Sequence, residues 1–168
     1  MQIASELTTY DTNDPASFVA LMTYHHFCTD TRGARWQIPE MDNPIFRENL
    51  SYIQADRARE AYRLLAKLAV EDGLEIAFVP SATNRTMKLM GSLGGRFLYL
   101  FSADRARRYF SFYIRSPAID HWPELLNLGA GLGGEVAKDS KQVLLRVTAP
   151  DQMQTIWNAL RPRFAKPS

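Results

Sequence analysis

The stretch that decides the fold reads Arg-Ala-Arg-Arg-Tyr-Phe-Ser-Phe-Tyr-Ile-Arg and spans residues 105–115. Its second part has a period of two, which is typical of a β-strand because successive side chains point to opposite faces. One face is apolar and is expected in the core: Phe110, Phe112 and Ile114. The other face is aromatic and cationic: Tyr109, Ser111, Tyr113 and Arg115. The sequence alone leaves open whether a helix covers this second face.

Three further segments have the same period, and we expect strands there: Leu74–Val79, Arg96–Ser102 and Gln142–Thr148. Together with residues 109–115 they give four strands. The short link at residues 103–108 predicts a hairpin, and short links favour antiparallel pairing. Residues 81–95 are expected to form a loop.

Helices are predicted where an N-cap residue precedes proline, as at Asp14-Pro15 and Asn43-Pro44. The first helix would run to about Cys28. The second would run to Asp72, with Gly73 ending it, and its pattern allows a break near residues 51–56. A short helix is expected over 121–128, and a last one opens at residues 148–151 and stops at Pro162.

The element order is therefore α-α-β-β-β-α-β-α. It predicts an α+β fold in which a four-stranded, mainly antiparallel sheet packs against helices. We expect one domain over residues 1–168, with a helical part at 1–73 and a sheet-containing part at 74–168.

The composition is that of a globular protein: 168 residues, 46% hydrophobic and 23% charged. It excludes a disordered, a collagen-like and a disulfide-rich chain. A single cysteine, Cys28, fits a reducing compartment. Since there is no basic and apolar leader, and no apolar run near the roughly 20 residues of a membrane span, we expect a cytoplasmic protein without a membrane partner.

The formal net charge of +2 conceals an uneven distribution along the chain. Residues 1–48 carry a net charge of −4, whereas residues 81–115 carry +6, with Asp104 as the one acid among seven basic residues. Such asymmetry indicates an anionic partner.

Tyrosine and arginine on one strand face suit the stacking of bases and the neutralisation of phosphates. We therefore predict a small binding module for nucleic acid, with DNA and RNA both open, rather than an enzyme. The expected contact residues come from the basic segment: Arg85, Lys88, Arg96, Arg105, Arg107, Arg108, Tyr109, Tyr113 and Arg115. Alternatively the same face is an ordinary solvated surface, or it binds an acidic protein, as in an inhibitor, immunity or adaptor protein that uses charge asymmetry.

A third hypothesis is a metal-dependent nuclease. Asp120, Asp139 and Lys141 have the spacing of the PD-(D/E)xK triad, in which two carboxylates hold a metal and a lysine activates water. The Asp139–Lys141 pair precedes the expected strand, however, and has the character of a polar turn. His25, His26 and Cys28 match no closed zinc pattern, so no metal site is predicted.

Residues 129–134 follow the G-x-G-x-x-G pattern, and with the leucines at 125–128 they resemble the first motif of Rossmann-like methyltransferases. That resemblance implies a nucleotide cofactor held at a helix N-terminus. Only 34 residues follow Gly134, too few for the remaining βα units of such a fold. We expect a flexible loop here and no cofactor.

Overall fold

Six strands form one antiparallel sheet in the computed structural model, which describes residues 43–79 and 86–164. The strands are β1 Glu75–Val79, β2 Thr86–Leu93, β3 Arg96–Arg105, β4 Phe110–Ile114, β5 Glu135–Val136 and β6 Val143–Val147. Their order is β1-β2-β3-β4-β6-β5, so β3 and β4 lie in the middle. The α+β class is confirmed, whereas the prediction of four strands was wrong.

The sequence did not predict two of the six strands, β2 and β5, and the structure shows why. β2 lies in the segment predicted as a loop, and Gly91 interrupts its pattern. The glycine leaves room for the Leu100 side chain of β3, because a Cβ there would lie 2.7 Å from Leu100 Cδ1. Gly94 and Gly95, both at positive φ, make the β2–β3 turn. β5 has only two residues, too few to show a period.

Five helices are described: α1 Pro44–Tyr52, α2 Asp56–Glu71, α3 Ser116–His121, α4 Leu125–Gly131 and α5 Pro150–Phe164. Asn43 caps α1, since its side chain accepts hydrogen bonds from the Ile45 and Phe46 amides. The break between α1 and α2 and the positive φ of Gly73 confirm those predictions. None of the described helices is long and apolar enough to cross a bilayer.

Two helix predictions were wrong. The helix expected over 121–128 is two short helices, α3 and α4, separated by residues 122–124. Pro162 lies within α5, which continues to Phe164. Near a helix end this proline costs little, because few backbone hydrogen bonds remain to be lost. The helix expected after Asp14 lies outside the described residues, so the single-domain prediction for the whole chain stays a prediction.

All five described helices pack on one face of the sheet. Tyr62 of α2 contacts Phe110 edge-on at 5.3 Å, and Trp157 of α5 contacts Phe101 at 6.2 Å between ring centroids. Helices α1, α3 and α4 contribute to the same core: Phe46, Leu50, Ala118, Ile119 and Leu125. The alternation predicted for β4 is confirmed, because Phe110, Phe112 and Ile114 are fully buried. Among the described residues, no helix covers the opposite face of the sheet, which we call the open face.

Candidate functional site

Strand register determines which side chains share the open face. Lys88 of β2 pairs with Ser102 of β3, which pairs with Tyr113 of β4, which pairs with Leu144 of β6. Because paired residues point to the same side of a sheet, these four form one row across its middle. The adjoining row contains Arg146, which is in register with Ser111.

A β-bulge brings Tyr99 to the open face. Leu89 pairs with Phe101 but Met90 pairs with Tyr99, so Leu100 is an extra residue in β3. Strict alternation from the buried Phe101 would have placed Tyr99 in the core. The bulge reverses the alternation and turns this ring toward Lys88.

The central feature of the open face is a group of two cations and two rings: Lys88, Tyr99, Tyr113 and Arg115. We call it the Tyr99 cluster. The Lys88 ammonium lies 4.8 Å from the centroid of the Tyr99 ring, and the Arg115 guanidinium lies 5.5 Å from it. Arg115 also lies 5.7 Å from the Tyr113 ring and donates a hydrogen bond to Gln142 Oε1 over 2.8 Å. All four side chains are partly buried, which strengthens attraction between a cation and a ring.

The two cations of the Tyr99 cluster lie apart from the carboxylates of the described residues. Within residues 43–79 and 86–164, no carboxylate lies within 4 Å of Lys88 or Arg115. The rings hold these groups in place by their quadrupoles without neutralising them.

Arg146 lies on the same face but, unlike Lys88 and Arg115, it is paired with a carboxylate. It donates to both carboxylate oxygens of Glu135, at 2.5 and 3.1 Å, and lies 6.0 Å from the Tyr109 ring. The hydrogen bonds to Glu135 and then to Tyr109 raise the pKa of its guanidinium. Sequence reasoning missed Arg146 because the alternation in β6 was visible but its position beside β4 was not.

The open face is mixed in charge, since the described residues place three carboxylates and three cations on it. Glu135 is paired with Arg146, and Asp104 accepts a hydrogen bond from the Thr86 hydroxyl over 2.5 Å. The third carboxylate, Glu75, is in register with Met90, and burial raises its pKa. Positive charge is therefore concentrated at the Tyr99 cluster rather than spread over the face.

The structure brings together four of the nine predicted contact residues on the open face: Lys88, Tyr109, Tyr113 and Arg115. Arg105 instead lies on the helix side, in register with Phe110, 3.2 Å from a Glu48 carboxylate oxygen and 4.4 Å from the Tyr52 ring.

The other basic residues of the segment are dispersed. Arg107 and Arg108 are exposed in the β3–β4 turn, and the Arg107 carbonyl accepts a hydrogen bond from the Gln54 amide over 2.7 Å. Arg96 begins β3 at the far end, about 30 Å from Arg105 at roughly 3.3 Å per strand residue. Arg85 lies outside the described residues.

The residues of the nuclease hypothesis make local contacts. Asp120 of α3 accepts a hydrogen bond from the Ser116 hydroxyl over 3.1 Å, and the Asp139 carboxylate accepts one from the Lys141 amide over 3.1 Å. Asp139 and Lys141 lie in the β5–β6 turn, before β6 begins. In the described part of the chain, no group of three or more His, Cys, Asp or Glu residues could hold a metal ion. The nuclease hypothesis stays a prediction, and His25, His26 and Cys28 lie outside the description.

The glycine-rich segment is not the loop that we expected. Gly129 and Gly131 lie in α4, and Gly133 follows the helix at positive φ. A Cβ at Gly129 would lie 2.8 Å from Val143 Cγ1, and one at Gly134 would lie 2.5 Å from the same atom. These two glycines allow the α4 segment to approach β6 closely.

Comparison of the chain with protein-family models, with curated proteins and with solved structures found no match.

Proposed function

We propose that this chain is a nucleic-acid-binding module that contacts a single strand with its open face. The observation that supports the proposal is the Tyr99 cluster, in which a cation from β2 and one that follows β4 flank a tyrosine of the central strand β3. Among residues 43–79 and 86–164, no carboxylate pairs with either cation and no helix covers this face. Phosphate contacts by lysine and arginine supply most of the affinity in sequence-independent binding. Lys88 and Arg115 are the residues that would make them.

The shape of the face favours a single strand over a duplex. The major groove of a duplex admits a helix or a two-stranded ribbon, both of which are narrower than a six-stranded sheet presented face-on. A single strand can lie across a sheet, as it does on other sheet-based binding modules. Lys88 on β2 and Tyr113 on β4 are two strand spacings apart, or about 10 Å, so one strand can reach both.

The proposal is tested by fluorescence anisotropy of the full chain with a fluorescein-labelled single-stranded oligonucleotide. The double variant Lys88→Ala/Arg115→Ala is expected to bind at least about tenfold more weakly. The slope of log affinity against log salt should fall by about 1.4, since each lost phosphate contact on a single strand contributes about 0.7.

The matched control is Arg96→Ala/Arg107→Ala, which removes the same charge away from the open face. It should lose at most about threefold in affinity, as expected when only the long-range field changes. Equal losses in the two double variants, or no binding by the unaltered chain at low salt, would contradict the proposal.

The second candidate function is binding of a protein partner, which the mixed charge of the open face favours. Glu75, Asp104 and Glu135 interleave with the cations there, and such patterns steer protein association. A partner that is retained in a pull-down after nuclease digestion, together with no anisotropy change for any oligonucleotide, would favour this function over nucleic-acid binding.

A further inference from the structure

We infer that the open face recognises the phosphate chain of its ligand and does not stack bases, because the chain's own cations already occupy its tyrosine rings. The inference rests on the proposed function and specifies its chemistry. The ligand class is a chain of phosphates, for which nucleic-acid backbone and inorganic polyphosphate are the two sources.

Ring occupancy recurs at every tyrosine that the described residues place on the open face. Tyr99 has Lys88 and Arg115 at 4.8 and 5.5 Å from its centroid. Tyr113 has Arg115 at 5.7 Å, and Tyr109 has Arg146 at 6.0 Å. A base stacks on the flat side of a ring, so on the side that a cation covers it would have to displace that cation.

The strand order explains why Tyr99 holds two cations. Lys88 reaches the ring from β2 and Arg115 reaches it from the end of β4, and these two strands flank β3. The two cationic groups cannot be farther apart than their two distances to the ring combined. Two neighbouring phosphates of a chain can therefore contact one cation each. Tyr99 is a positioning residue, since it holds the cations that would touch the ligand.

Arginines that stabilise the fold differ from Lys88 and Arg115 because they are paired with a carboxylate. Arg146 and Arg105 also lie over tyrosine rings, but each has a carboxylate partner, Glu135 and Glu48 respectively. Bidentate or close pairing with a carboxylate satisfies the guanidinium and lowers its attraction for an external anion. The absence of a carboxylate near Lys88 and Arg115, within the described residues, distinguishes a phosphate-binding pair from a structural one.

The test compares two single-stranded oligonucleotides of equal length, one with bases and one abasic, for binding to the full chain. The abasic backbone is expected to bind within about threefold of the base-bearing strand, because the phosphates make the contacts. Inorganic polyphosphate is expected to compete with both strands.

Variants of Tyr99 report on the positioning role. Tyr99→Leu should weaken both oligonucleotides equally, by about fivefold or more, whereas Tyr99→Phe should bind as the unaltered chain does because it keeps a ring under the cations. Thermal melts establish that each variant is folded. The abasic comparison needs no variant and stands whether or not Tyr99→Leu folds.

The outcomes separate this inference from the function on which it rests. If the base-bearing strand binds and the abasic strand loses most of the affinity, the inference is overturned while nucleic-acid binding stands. If polyphosphate binds and neither oligonucleotide does, recognition of a phosphate chain stands and nucleic acid is not its source. If none of the three probes binds, both the inference and the proposed function are overturned.

Discussion

The Asp72 carboxylate accepts a hydrogen bond from the Trp157 indole over 2.7 Å, and this contact joins the C-terminal end of α2 to α5. The other carboxylate oxygen lies 2.7 Å from the Arg161 guanidinium. Trp157 is fully buried, and the Asp72 side chain is only 5% exposed. Two helices on the core face are thus joined by one buried, fully partnered carboxylate.

Replacing Asp72 should therefore destabilise the fold. Asp72→Ala leaves the buried indole N–H without a partner and is expected to lower the free energy of unfolding by about 2–4 kcal/mol. Asp72→Asn keeps an acceptor of nearly the same size and should lose about half as much or less. Urea denaturation measures both variants, and similar losses would mean that charge rather than the indole contact matters.

The glycines of α4 provide a stability test with an internal control. Gly129→Ala should destabilise by about 1–3 kcal/mol, since its Cβ would lie 2.8 Å from Val143 Cγ1. Gly131→Ala meets nothing within 4 Å and should be neutral or stabilise by up to about 1 kcal/mol, as alanine favours a helix. Chemical denaturation of the two variants checks this difference, and equal effects would argue against close packing of α4 on β6.

The raised pKa of Glu75 should make the stability of the fold depend on pH. Burial raises its pKa above the ordinary value of 4.5, so the folded state disfavours the ionised carboxyl. The stability associated with the protonated form is present below pH 4.5 and is lost as the pH rises through the folded-state pKa. Glu75→Gln should consequently melt at a higher temperature than the unaltered chain at pH 7, and at the same temperature below pH 4. Thermal melts between pH 4 and pH 7 measure the difference in melting temperature between the two proteins, which should grow as the pH rises. A difference that is the same at every pH would contradict this prediction.

Arg105 and Arg115 both lie in the basic segment, but their replacement should affect different properties: stability for Arg105 and oligonucleotide affinity for Arg115. Arg105→Ala removes the contacts to Glu48 and Tyr52, so it should lower the free energy of unfolding by about 0.5–1 kcal/mol and leave oligonucleotide affinity within about twofold. Arg115→Ala should lower the affinity about fivefold. Anisotropy and denaturation of the same two proteins provide the comparison, and a larger affinity loss for Arg105→Ala would place the interface at the helix side.

The sequence predicted those features that depend on local alternation. In β4 a period of two separates Phe110 and Phe112 from Tyr113, and the fold buries the two phenylalanines as expected. The caps at Asn43 and Gly73 were equally visible, because each depends on the conformation of a few adjacent residues.

Features that depend on pairing between distant strands were not predictable. β3 continues through Arg105 because it pairs with Phe110, and this extension turns Arg105 to the helix side. Tyr99 reaches the open face only through the bulge at Leu100, which the run Leu98–Phe101 does not indicate. The role of Arg146 depends on β6 lying beside β4, a matter of strand order.

The measurement that tests the central claim most directly is an NMR titration of the ¹⁵N-labelled full chain with a single-stranded oligonucleotide. The account predicts that chemical-shift changes concentrate at the amides of Lys88, Tyr99, Tyr113 and Arg115. The amides of α2 and α5, on the opposite side of the sheet, should remain unchanged. Shift changes confined to the helices, or no changes at low salt, would contradict the assignment of the open face as the nucleic-acid interface.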